Sequence, residues 1–161
     1  MLSMFSTFQI LENFGQLTAQ SVKDDLLTKK SKRYTESMGN FEEVAVNTGQ
    51  TAGSVSYRLT NDGVEVYADS NIENILRGQA PGEYPPIAFI DNWLASKGID
   101  LSPFAVSNSI HNNGSSIYQY WKGQENDILS DSINEDMVKR LMSDISQATI
   151  SGILEQIKQA A

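Results

Sequence analysis

The stretch from Arg77 to Trp121, RGQAPGEYPPIAFIDNWLASKGIDLSPFAVSNSIHNNGSSIYQYW, constrains the fold more than any other part of the chain. It spells two short helices with both ends of each marked. Pro85-Pro86 opens the first, because a proline at the first helical position loses only an N–H that has no helical partner. Ile87, Ile90 and Leu94 recur at spacings of three and four, with Trp93 beside them, so one face is apolar and Trp93 is expected in the core. Gly98 closes this helix by supplying a left-handed residue at its C-terminus. Ser102-Pro103 repeats the opening, Val106 and Ile110 mark an inner face, and Gly114 closes again. The pattern predicts a rigid two-helix block between a Gly/Pro-rich loop and an aromatic loop, Ile117 to Trp121.

On the N-terminal side, Ile10, Phe14 and Leu17 line one stripe and Leu11, Thr18, Val22 and Leu26 the next, predicting a helix from about Phe8 to Lys30. Lys29, Lys30, Lys32 and Arg33 then suit the negative end of its dipole. The period next changes to two. Val44 and Val46 alternate with polar residues, as do Val55, Tyr57 and Leu59, then Val64, Val66 and Ala68. Asn61-Asp62-Gly63 is hairpin chemistry, since these residues tolerate positive φ. A meander of three antiparallel strands follows, four if Arg33 to Met38 also pairs. Asp69 to Tyr84 and Gly114 to Ser130 carry little periodicity and are predicted to be long loops. Ser132 and Glu135 have capping-box spacing, and Ile133, Met137, Leu141, Ile145 and Ala148 line one face beyond them. Val138, Met142, Thr149 and Ile153 run beside that face. A helix from Ser132 to about Gln159 would be roughly 40 Å long, more than a small domain needs, so its tail is expected against another chain.

The predicted class is α+β: an N-terminal helix, a small antiparallel sheet of three to four strands, two short helices and a long C-terminal helix. All 161 residues fit a single domain, with the core at about 8–115 and the long-helix extension at about 131–159. Twenty acidic against 12 basic side chains give a net charge of -8, which argues against a surface built to neutralise duplex phosphates. With no cysteine there is neither a disulfide framework nor a thiolate metal site. The opening MLSMFSTFQILENFG lacks the basic start and apolar run of a signal peptide, and no apolar stretch approaches the roughly 18 residues of a membrane span. A soluble protein made in a cytoplasm is expected.

Catalytic constellations are weak. His111 is the single histidine and has no cysteine with which to share a metal. Asp24-Asp25, Glu42-Glu43 and Glu135-Asp136 are adjacent pairs, whose carboxylates do not face one another on a helix or a strand. Glu125, Asp127, Asp131 and Glu135 form the best acidic cluster, but they lack the spacing and central glycine of a calcium loop, and helix-start electrostatics accounts for them. No phosphate-binding glycine fingerprint is present. The chain is therefore expected not to be an enzyme and to hold no cofactor or metal. Tyr118, Tyr120 and Trp121 have no periodic reason to stand together: they either fold back over the core or anchor a partner.

The central block resembles the bacteriophage head–tail connector and tail-completion family, small neck proteins that form a ring between portal and tail. The resemblance rests on Arg77-Gly78-Gln79-Ala80-Pro81-Gly82, then Pro85-Pro86, Trp93-Leu94 and Lys97-Gly98, then Phe104-Ala105-Val106, Ile110 and Gly114, with the order of elements matching from about residue 8 to 115. It implies a non-enzymatic structural protein of the virion, made in the host bacterial cytoplasm. Such a subunit contacts its own copies in a homo-oligomeric ring and a portal, adaptor or tail protein along the axis. DNA passes through such a ring without specific binding, and no membrane is involved. The expected interface residues are Arg77, Gly78, Pro81 and Gly82 in the first loop and Ile117, Tyr118, Tyr120 and Trp121 in the second. The alternative is a small intracellular binding or regulatory module that presents the aromatic loop to one partner.

Overall fold

The computed structural model describes residues 2–44 and 49–160, with side chains from Thr7 onward. Helices α1 (Leu2–Thr28), α2 (Gln50–Ser54), α3 (Asn71–Arg77), α4 (Ile87–Lys97), α5 (Pro103–Asn113), α6 (Ser116–Trp121) and α7 (Glu135–Ala160) accompany strands β1 (Lys30–Thr35), β2 (Gly39–Val44), β3 (Ser56–Thr60) and β4 (Gly63–Tyr67). The chain is thus mixed helix and antiparallel sheet, as its α+β reading requires.

The sheet differs from the predicted meander. Two separate two-stranded hairpins form, β1–β2 and β3–β4. Between them α2 buries Thr51 and Ala52, so the chain turns inward where a continuing strand would be needed. Val46, which the alternation assigned to a strand, lies outside the described residues. Helix α1 also stops at Thr28, short of the lysines, and Lys30, Lys32 and Arg33 belong to β1 rather than to a helix terminus. The inward residues of β1 are Ser31 and Arg33, both buried, so polar side chains occupy positions where an apolar alternation would have marked a strand. Arg33 is held by Glu43 at 3.0 Å and donates to the Val44 carbonyl. Burial pulls its guanidinium below its ordinary pKa, with Glu43 opposing. Glu43 also accepts Lys97 at 2.5 Å, which ties this hairpin to α4.

The core forms where α1 meets the second hairpin. Ala19, Val22 and Leu26 of α1 pack with Ala52, Val55, Ile75 and Ile128, flanked by Tyr57, Val66, Ala68, Ile72 and Leu129. Gly15 permits that approach, because a Cβ there would stand 2.6 Å from both the Tyr57 ring and Val64. The hairpin expected from Asn61-Asp62-Gly63 forms: Thr60 pairs with Gly63, leaving Asn61-Asp62 as its two-residue turn, although neither adopts the expected positive φ.

The two-helix block forms as its punctuation requires. Pro103 takes the first position of α5, while Pro86 sits one place earlier than expected, at the N-cap of α4. Gly98, at φ 64°, ends α4 in a Schellman turn: its N–H donates to Ala95 and that of Ile99 to Leu94. Ile90 and Leu94 are buried, whereas Trp93 is only half-buried. In α7, Asn134 rather than Ser132 caps the start, its Oδ1 accepting the Met137 N–H at 2.9 Å. Ser132 is buried instead and donates to Asp25 at 2.5 Å. The long helix therefore starts beside the C-terminal turn of α1 and packs along it.

Candidate interaction surface

The predicted first loop, 69–84, contains a helix, and the remainder is sewn down. After α3, Gly78 turns the chain at φ 75°. Gln79 N–H donates to Ser115 Oγ, the Ser115 N–H returns to the Gln79 carbonyl, and the Gly82 N–H donates to His111 O at 2.8 Å. Ser107, buried in α5, donates to the Pro85 carbonyl, and Tyr84 stacks flat on His111 with ring centroids 3.8 Å apart. Residues 78–86 are thus fastened to the end of α5 and the start of α6. Arg77 points outward and pairs with Glu125 at 2.6 Å. Pro81 and Gly82 are exposed, whereas Gly78 is pressed on the Tyr118 backbone.

The predicted aromatic loop is a helix. Ser115 caps α6 by accepting the Tyr118 N–H. Ile117 is buried, so it offers no surface to a partner in this conformation. Tyr118 is half-buried, with its ring against Gly114 and Gly123. Trp121 donates its indole N–H to the Lys32 carbonyl at 3.0 Å and meets Tyr120 edge-on. Tyr120 lines an open groove of about 290 Å³ with Lys32, Asn40, Phe41 and Glu42. Of the two roles left open for the aromatics, covering the fold accounts for Tyr118 and Trp121, while Tyr120 borders this groove.

The acidic cluster is dispersed into ion pairs: Glu125 with Arg77, Asp131 with Lys29, and Glu135 with Lys139. Among the described residues no group of three or more His, Cys, Asp or Glu side chains is placed to hold a metal ion. His111 buries its Nδ1 with no hydrogen-bond partner among the described residues and lies flat on Tyr84. No helix among the described residues is long and apolar enough to cross a membrane.

Lys29 joins α1 to the approach of α7. Its hydrogen bond to Asp131, aided by Asp25 against some desolvation, raises the ammonium pKa, and the same bond lowers that of the Asp131 carboxyl. The Asp131 contribution is therefore complete above the ordinary carboxylate range and is lost as pH falls through its lowered value. The Lys29 contribution is complete below the ordinary lysine range and is lost as pH rises through its raised value. In a carbon-detected NMR titration, Asp131 should titrate below a reference peptide, and Lys29→Ala should return it toward the reference. An Asp131 titration unchanged by that substitution would remove the link.

The long helix, whose tail is expected from the sequence to lie against another chain, carries a row of accessible apolar side chains. Not one residue of α7 is buried. Met137, Leu141, Ile145 and Ala148 are half-covered on one side, while Val138, Met142, Ile150, Ile153, Leu154 and Ile157 are all exposed. A further apolar group, Ile99, Leu101 and Phe104, is exposed where α4 joins α5. No protein-family model, curated protein or solved structure matches the chain.

Proposed function

We propose that the protein is a structural assembly subunit, and specifically a ring-forming head–tail connector or tail-completion subunit of a bacteriophage neck. One observation carries the assembly reading. The chain exposes 10650 Å², whereas a compact monomer of its mass exposes about 8,000 Å². Among the described residues, eighteen large apolar or aromatic side chains are exposed against ten buried apolar ones. Scattered exposed leucines are ordinary, but an excess gathered on one long helix and one helix–helix corner fits surface meant for neighbours. The neck assignment itself rests on the resemblance carried by the Arg77–Gly114 block. The fastened loops suit that role, since a ring subunit must present contacts without reorganising at each step.

Charge supplies the test. Subunits of net charge -8 repel as they close on one another, and salt screens this over about 10 Å at 0.1 M. At low salt the isolated protein is expected to form no closed ring, and larger integer multiples of the subunit should appear by light scattering as salt rises. Adding a portal or adaptor protein of the same phage should yield a closed ring of fixed copy number. Assembly that weakens with salt, together with a one-to-one complex, would overturn the ring.

A further inference from the structure

We propose that the free chain pairs with a second copy through the outer face of α7, the two helices lying antiparallel about a two-fold axis between Gln147 and Ala148. The face is made by Val138, Met142, Ser146, Thr149, Ile153 and Ile157. At 100° per residue these fall on one side of the helix, adjacent to the stripe that packs on α1. Their spacing is four, four, three, four, four, which reads the same in both directions. An antiparallel copy therefore sets Val138 against Ile157, Met142 against Ile153, and Ser146 against Thr149. A stripe matching its own reverse is what an isologous contact needs, because each residue must meet its counterpart twice.

Three further observations favour a second copy as the occupant. First, from Met142 to Ile157 the charged residues are Asp144 and Glu155, and helical geometry turns both away from this face. On a chain of net charge -8, a face without charge for about four turns is where two copies approach at least electrostatic cost. Second, its two polar side chains are already satisfied within the helix. Ser146 Oγ donates to the Met142 carbonyl at 2.7 Å and Thr149 Oγ1 to that of Ile145 at 2.8 Å, so covering them leaves no hydroxyl proton unbonded. Third, four of the six exposed apolar residues of α7, Val138, Met142, Ile153 and Ile157, lie on this face, a small area beside the roughly 1,200 Å² at which specific interfaces begin. A pair of that size should be weak and concentration-dependent.

The pairing belongs to the free chain and does not depend on the neck assignment. Because the sequence contains no cysteine, it can be read by crosslinking. Val138→Cys and Ile157→Cys alter exposed positions 42% and 60% accessible, so the fold should survive both. Mixed under mild oxidation, the two variants should give a hetero-disulfide dimer, while each alone crosslinks far less. The two sites of one helix lie about 28 Å apart along the axis. Ile153→Lys should weaken the dimer at least tenfold in analytical ultracentrifugation with an unchanged melting curve. Efficient crosslinking of either variant with itself would mean a parallel contact and overturn the proposal. A dimer that forms without crosslinking would place the contact elsewhere, and a monomer up to the highest soluble concentration would leave the face without a second copy; either result also overturns it. Failure here together with salt-dependent ring formation would leave the ring standing, so the two readings are separable.

Discussion

Replacing Tyr118, Tyr120 and Trp121 together by serine is expected to lower the melting temperature by ~10–20 °C. Truncating a fully buried aromatic typically costs ~3–5 kcal/mol, and these three are half-buried, so a combined loss of about 5 kcal/mol is reasonable. For a chain of this length each kcal/mol moves the midpoint by about 2–4 °C. The residues sit in α6, which packs on β1, and the substitution also removes the indole bond to the Lys32 carbonyl. A partner-anchoring loop would give the opposite result, an unchanged melt with lost assembly. Differential scanning calorimetry separates the two, and a triple variant as stable as the parent would return these aromatics to the interface. Tyr120→Ser alone should be mild, because Tyr120 borders the groove and holds no hydrogen bond like that of Trp121.

What was legible in the sequence is instructive residue by residue. The α4–α5 block was readable because its stops and starts are chemical: Gly98, Pro103 and Gly114 each occupy a backbone position that few other residues serve as well. The first helix was readable from its apolar stripes, and the Asn61-Asp62 turn was found although neither residue takes the positive φ that pointed to it. Strand β1 was readable only in part, as the conditional fourth strand from Arg33 to Met38, because its inward positions are Ser31 and Arg33, and an ion pair with Glu43, ten residues away, replaces the apolar signal. Helix α6 was hidden by its length. Six residues make less than two turns, and its cap at Ser115 does not announce itself among the neighbouring Gly, Ser and Asn. Of the expected interface residues, the structure brings Gly78 and Tyr118 together as a packing pair, leaves Arg77, Pro81 and Gly82 outside, and buries Ile117. Trp93 was placed too deep: a residue beside a stripe covers its edge, and half-burial is the result.

Gly78→Ala is expected to destabilise by ~3 kcal/mol or more, through positive-φ strain and an overpacked contact acting together. At φ 75° an alanine is strained wherever it stands, and here its Cβ would also collide with the Tyr118 amide nitrogen and come within 2.6 Å of Ser115 Oγ. A backbone atom cannot swing aside as a side-chain end can. Relief would have to separate the 78–79 turn from the start of α6, breaking the paired hydrogen bonds between Gln79 and Ser115. Gly82 is the control. It too has positive φ, 113°, but a Cβ there meets nothing within 4 Å. Gly82→Ala should therefore cost only strain, about 1–2 kcal/mol, and leave the block intact. Urea denaturation with the slope unchanged would measure both losses on one scale. Equal losses would mean that the close approach of the turn to α6 carries no stability. A large loss for Gly78→Ala alone would identify this glycine as a packing requirement of the fold. Arg77, Pro81 and Gly82 would then be the residues of this loop at which assembly can be tested without first testing whether the chain folds.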